Sequence, residues 1–264
     1  MNEAFYISAT ALSAHQAALD AVSNNIANVN STAYKRVAVR FSELLTGPDQ
    51  PASPAAGNAA NDPVTTAPVS LGGVEAHADH IVFDQGTLNA TGQALDVAVN
   101  GDGFFEVLGP SGQMLLWRGG TLEVNSDGYL AANNGMALKQ LISVPQNASQ
   151  VTIGTDGTVT ALIGTNTTPT RLGQIGLAQV RDTSTLGNYG SGLYTATDPS
   201  SLQASTSGED GAGTIIQGSL ETSNVQLTDE MTSLLLIQRV YGANAQVLQA
   251  SDELMGIANG LRRS

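Results

Sequence analysis

The sequence predicts an α+β fold in which two long terminal α-helices pair in coiled-coil fashion and flank a central β-rich domain. Apolar residues recur every seven places at each end of the chain, and the centre breaks into short alternating runs divided by Gly-containing turns. A Pro-, Ala-, Asn- and Thr-rich stretch without any period separates the first helix from that centre.

At the N-terminus, Phe5, Leu12, Leu19 and Ile26 mark the repeat, with Val22 and Val29 three places after the last two. Ala4, Ala9, Ala11, Ala14, Ala17, Ala18 and Ala21 supply helix propensity and let a neighbouring helix approach closely. The helix then meets "SNNIANVNSTAYKRVAVRF", Ser23 to Phe41, where four asparagines fall within seven residues. Asn competes for backbone hydrogen bonds and tolerates left-handed conformations, so Asn24, Asn25 and Asn28 are expected at caps and turns. Residues 1–45 are accordingly read as an N-terminal helix and its Asn-rich turn, and residues 46–73 as an irregular segment.

Residues 74–216 read as the β-rich domain. "LDVAVNGDGFFEV" predicts a hairpin turning at Asn100-Gly101, "LEVNSDGYLAANNGMALKQ" turns at Asp127-Gly128 and Asn134-Gly135, and "VTIGTDGTVTAL" turns at Asp156-Gly157. Trp117, Phe104 and Phe105 are expected in its core. Residues 217–264 hold the second helix. There Leu227, Leu234, Tyr241, Leu248 and Met255 repeat every seven places, and Val240, Val247, Leu254 and Leu261 form a second row beside them. Two adjacent rows make a stripe that needs neighbours on more than one side. Thr228 is the expected N-cap, with Asp229 and Glu230 in the first turn.

Composition excludes several functions. The chain has 264 residues, a formal charge of -13 and a pI near 4.3, with 12% charged residues. No Lys or Arg occurs between Arg40 and Arg118, so there is no clustered basic surface for nucleic acid. With no cysteine, disulfides and thiolate chemistry are impossible. The only histidines are His15, His77 and His80; "HADH" at 77–80, with Asp84 nearby, lacks a third strong ligand, so no metal is assigned. "NGDGFF" and "GEDGAG" complete neither a calcium loop nor a phosphate loop and read as turns. No catalytic residue, cofactor site or enzymatic activity is assigned. The N-terminus lacks a basic n-region and a solid apolar stretch, so no cleaved signal peptide of the usual kind is expected, and no apolar run reaches bilayer-spanning length.

Three stretches together resemble the axial proteins of the bacterial flagellum, the rod and hook subunits. They are "NNIANVNSTAYKR" (Asn24–Arg36), "LDVAVNGDGFFEV" (Leu95–Val107), and "GSLETSNVQLTDEM" with "LIQRVYGANAQVLQASDELM" (Gly218–Met231, Leu236–Met255). The length and the runs "GEDGAGTIIQGSLETSNV" and "VTIGTDGTVTAL" are most similar to distal rod subunits, with a proximal rod or short hook-type subunit as the alternative. "LLWRGGTLEVNSDGYL" departs from the family pattern, and "RVYGANAQ" leans toward hook sequences.

The resemblance implies a structural subunit of the basal-body rod that self-assembles into a helical tube and transmits torque. It implies a periplasm-spanning location, flagellar type III export, and contacts with its own copies, neighbouring rod and hook subunits and surrounding bushing rings. It also implies terminal helices that order on stacking, when the Asn-rich turn takes shape, and a link between segment 46–73 and rod stiffness. The residues expected to carry assembly are Phe5, Leu12, Leu19, Ile26, Asn24, Asn25, Asn28, Leu227, Leu234, Tyr241, Leu248 and Met255. A competing class is a secreted β-rich binding module with helical flanks.

Overall fold

The computed structural model describes residues 2–46, 70–164, 168–209 and 211–261. In chain order it forms α1 (Asn2–Ala27), β1 (Val37–Thr46), β2 (Ser70–Ile81), β3 (Leu88–Ala90), β4 (Asp96–Asn100) and β5 (Phe104–Leu108). Then come β6 (Met114–Trp117), β7 (Gly119–Val124), β8 (Leu130–Ala132), β9 (Ala148–Ile153), β10 (Thr158–Ile163) and β11 (Thr170–Gln174). The remainder is β12 (Gly176–Val180), β13 (Leu186–Gly190), β14 (Leu193–Ala196), β15 (Leu202–Thr206), β16 (Thr214–Gln217), β17 (Ser219–Glu221) and α2 (Leu227–Leu261). The fold is the expected α+β class, with two long terminal helices that pack together and a β-rich centre.

The chain divides into two compact units. The first gathers residues 1–23, 39–78 and 231–264; the second gathers 24–38 and 79–230. In the first, α1, α2 and most of the paired strands β1 and β2 come together. The alternation of Val37, Val39 and Phe41 makes β1 a strand where the sequence suggested the tail of a turn. The irregular segment expected at 46–73 lies mostly outside the described residues, and its last residues, from Ser70, belong to β2.

The buried stripe of α1 is Ala14, Ala18, Ala21, Val22 and Asn25. Small residues at this spacing let another backbone approach closely. His15 on the same helix meets the ring of Phe41 on β1 at 5.8 Å between centroids. The N-cap assignment for α2 changes: the backbone N–H groups of Asp229 and Glu230 both donate to the Gln226 carbonyl, so Gln226 holds the cap position and Thr228 lies in the first turn.

The second unit is all antiparallel in its pairings. A six-stranded sheet runs β13-β14-β6-β5-β12-β15, a four-stranded one β16-β4-β7-β8, and smaller sheets pair β11-β10-β9 and β17-β3. Its main core takes Val97, Phe105, Leu115, Trp117, Leu177 and Ile215 among others, with Phe105 and Trp117 rings 5.6 Å apart. Successive strand residues point to opposite faces, so Phe104 and Leu116, next to Phe105 and Leu115, instead join a second cluster with Phe83 and Tyr194.

The hairpins at Asp127-Gly128 and Asp156-Gly157 form as the turn signals indicate, joining β7 to β8 and β9 to β10. The one expected at Asn100-Gly101 does not. β4 pairs with β7 and β16, whereas β5 pairs with β6 and β12, so the Gly101–Gly103 link carries the chain from one sheet to another. Gly101 and Gly103 have φ of 101° and 136°, and the guanidinium of Arg118 donates to both of their carbonyls. A cation that ties down two carbonyls of the link holds it open, which a two-residue hairpin turn does not require.

Candidate functional site

The second unit receives the chain from α1 and returns it to α2 through two short segments that lie side by side. The Ala33 N–H donates to the Glu221 carbonyl at 2.8 Å, and the Asn224 N–H to the Tyr34 carbonyl at 3.3 Å. Asn224 then works in both directions: its side-chain oxygen accepts from the Arg36 N–H at 2.8 Å, and its Nδ2 donates to the carbonyls of Val82 and Asp84.

Beneath this junction three charges are buried together. Lys35 Nζ donates to Glu221 Oε1 at 2.7 Å, and Arg118 Nε donates to Oε2 at 3.2 Å; the Lys35 and Glu221 side chains have no exposed surface. The Gly86 N–H also donates to Oε1, and Lys35 adds a bond to the Asp84 carbonyl. The guanidinium lies over the Phe104 ring, 5.6 Å from its centroid. Burial lowers the Lys35 ammonium below the ordinary lysine value, although the Glu221 carboxylate opposes the shift. Tyr194 is pushed upward, chiefly by burial. Each charge in the cluster has a partner, the condition under which buried ions hold a structure together.

Asn25 makes a second joint at the root of the helices. It is 1% exposed and uses all its hydrogen-bonding capacity. Its Nδ2 donates to the Val37 carbonyl at 2.9 Å and to Glu230 Oε2 at 3.2 Å, while its oxygen accepts from the Val37 N–H and the Tyr34 hydroxyl. Glu230, in the first turn of α2, is also buried and meets Arg36 at 3.4 Å. Asn28 closes α1: its Nδ2 donates to the Asn24 carbonyl and side-chain oxygen, and its own oxygen accepts from the Ser31 hydroxyl. The Asn-rich turn, expected to take shape only on stacking, therefore finds these partners within one chain.

The other residues expected to carry assembly fall in graded positions. Phe5 is 39% exposed, Asn24 is exposed, and Leu12, Leu19 and Ile26 are half-buried, one step around α1 from its buried Ala stripe. On α2, Leu234, Tyr241, Leu248 and Met255 are half-buried, whereas Leu227 is exposed. Farther round the same helix, Leu236, Val247, Leu254 and Ile257 are all exposed, Leu254 at 60%. With Val240, Ala243 and Ala250 they follow the alternating three- and four-residue spacing of a helix–helix seam. The sequence reading marked part of this row but placed the assembly residues on its neighbour.

Among the described residues no group of three or more His, Asp or Glu side chains could hold a metal ion, and no helix is long and apolar enough to cross a membrane. The buried cluster and Asn25 have the chemistry of a structural joint: paired charges and a saturated amide.

Three family models match the chain: "Flagella basal body rod protein" over residues 5–35, "Flagellar hook protein FlgE/F/G D1 domain" over 98–161, and "Flagellar basal body rod FlgEFG protein C-terminal" over 216–261. Each matched segment contributes one member of the buried triad: Lys35, Arg118 and Glu221 respectively. The chain is 33% identical over 258 residues to the flagellar basal-body rod protein FlgG of Buchnera aphidicola subsp. Baizongia pistaciae, covering 97% of this chain and 98% of that protein. It is 34% identical over 258 residues to FlgG of Agrobacterium fabrum, with the same coverage. It is also 33% identical over 258 residues to the rod protein FlgF of Caulobacter vibrioides, covering 96% of this chain and 95% of that one.

Proposed function

The chain belongs to the flagellar basal-body rod protein family and is a structural subunit of the rod, and we propose that it polymerises with its own copies into a torque-transmitting tube continuous with neighbouring rod and hook subunits. Repeated similarity to FlgG proteins across distant bacteria makes the distal rod the best assignment. Family members are structural and non-catalytic. The observation that carries the polymer reading is the exposed row Leu236, Val247, Leu254 and Ile257, a second helix–helix seam with no partner among the described residues of this chain. The -13 formal charge keeps free subunits apart, so an apolar seam is needed to draw them together. Residues 1–45 and 217–264 serve as the polymerisation segments, and 74–216 as the outward body. The surrounding partners are the bushing rings, and the export route is the flagellar one.

The test is sedimentation of purified protein. Val247→Asp with Leu254→Asp should leave α-helical circular dichroism unchanged and abolish sedimenting polymer, because both sites are exposed in the single chain but become buried carboxylates in the tube. Polymer formation equal to wild type refutes the seam. Mass spectrometry of rod-bound protein should show the chain intact except for Met1; loss of roughly fifteen to thirty residues, a signal-peptide length, refutes the export reading.

A further inference from the structure

The chain contains three Asn-Gly pairs, at 100–101, 134–135 and 259–260. Asn before Gly is the dipeptide most open to attack on its side-chain amide by its own backbone, because Gly has no Cβ to shield the attacking nitrogen. The fold places the first two pairs in opposite circumstances. Asn100-Gly101 is locked. Asn100 ends β4 and pairs with Thr214 of β16. The Gly101 N–H donates to Gln85 Oε1 at 3.1 Å, and its carbonyl accepts from Arg118. The Gly213 backbone lies against it, with its Cα 3.0 Å from where a Cβ on Gly101 would stand.

Asn134-Gly135 sits in the turn that follows β8, and Asn133, Asn134 and Gly135 are all exposed. No atom lies within 4 Å of where a Gly135 Cβ would stand. Two backbone bonds close the turn: the Gly135 N–H donates to the Ala132 carbonyl at 2.8 Å, and the Ala132 N–H to the Met136 carbonyl at 2.9 Å. Within it the Met136 N–H donates to Asn134 Oδ1 at 3.1 Å, a local bond that needs neither of the other two. A donor on that oxygen leaves Cγ more electrophilic and stabilises the oxyanion that forms when a nucleophile adds to it. An exposed turn held by two bonds opens at far lower free energy than a link tied into two sheets, and each opening frees the Gly135 nitrogen.

We propose that Asn134 is a site of self-modification, converted by its own backbone to aspartate and isoaspartate. The Gly135 nitrogen, having given its proton to solvent, forms a bond to Asn134 Cγ. The Cγ–Nδ2 bond breaks, and Nδ2 leaves as ammonia with a proton taken from water. The product is a five-membered cyclic imide. Water then opens it at Cγ, which gives aspartate, or at the main-chain carbonyl carbon of residue 134, which gives isoaspartate with the chain routed through the side chain. Nothing is oxidised or reduced, and water is the only co-reactant. Either product sets a carboxylate next to Asn133, which lines a cleft beside the Asn-rich turn whose described side chains carry no charge. An aged subunit therefore differs from a new one in the charge of an otherwise neutral surface.

The test follows the purified full chain incubated at mildly alkaline pH in heavy-oxygen water, then digested and weighed peptide by peptide. The Asn134 peptide should gain the mass of an amide-to-carboxyl exchange that carries the solvent oxygen, in two forms separable by chromatography. It should do so at least roughly tenfold faster than the Asn100 peptide, because only its turn opens without wider unfolding. In urea, where both links are open, the two rates should converge. Asn134→Gln, whose longer side chain would have to close a six-membered ring, should lose the conversion at this turn and keep the wild-type circular dichroism. Asn259-Gly260, in the last turn of α2, reports fraying of that helix and is scored apart. A folded-state rate at Asn134 no higher than that at Asn100 overturns the proposal. So does a difference that persists in urea, since its cause would then be the flanking sequence and not the turn.

Discussion

Replacing Glu221 with Gln keeps the shape of the buried cluster but removes its only negative charge, leaving Lys35 and Arg118 without a counter-ion. The two cations respond differently. Lys35, already lowered by burial, can release its proton. Loss of the Glu221 carboxylate removes the charge that opposes this burial effect, so the ammonium is lowered further. Arg118 cannot deprotonate, but it keeps the Gly101 and Gly103 carbonyls and the Phe104 face. A loss of about 3–5 kcal/mol is therefore expected, the range for removing one partner of a buried ion pair. Lys35→Met should cost less, about 1–3 kcal/mol, because Glu221 retains Arg118 and the Gly86 N–H.

Trp117, the single tryptophan, is buried in the core of the same unit, so urea unfolding followed by its fluorescence reads this unit directly. The Lys35→Met/Glu221→Gln double variant should lose at least about 1 kcal/mol less than the two single losses added, the mark of a coupled pair. A Glu221→Gln cost below about 1 kcal/mol, or strict additivity, would refute the view that the cluster holds the two chain segments together.

Asn25→Ala removes four hydrogen bonds, two of them to the backbone of Val37, an expected loss of about 2–4 kcal/mol against a helix-propensity gain of at most about 0.7. The same urea titration should show it, and a variant as stable as wild type means that solvent replaces the amide at no cost. Tyr194→Phe addresses pH. The folded Tyr194 value is raised above its ordinary 10.0, so its contribution is fully present below pH 10 and is lost as pH rises beyond it. Melting temperature should therefore fall less steeply above pH 10 in the Phe variant than in wild type, and parallel profiles would show that another group dominates alkaline unfolding.

The legible parts of the fold are those with a local period. The heptad rows announced α1 and α2, and Asp-Gly pairs flanked by alternating residues announced two hairpins. Asn100-Gly101 carried the same signal and failed, because what holds that link open is Arg118, whose role cannot be read from the turn itself. The row on α1 was read from its large residues, whereas burial follows Ala14, Ala18 and Ala21, since close helix approach selects small side chains. The triad had no local signature: Glu221 lies 186 residues from Lys35 and 103 from Arg118. A weaker signal existed in lone charges set among apolar or small neighbours, as in "LLWRGG" and "GSLETS", within a chain that is only 12% charged. Asn25 was singled out, but as a turn-former; one of its bonds goes to Glu230 on the far terminal segment, 205 residues away.

The pairing of Ala33 with Glu221 also makes the β-rich unit an insert with adjoining ends. Segments that enter and leave a body side by side make it interchangeable, because the body can be lengthened, shortened or replaced without changing the gap its attachment points must bridge. Subunits with bodies of different bulk can thus share one pattern of terminal helices.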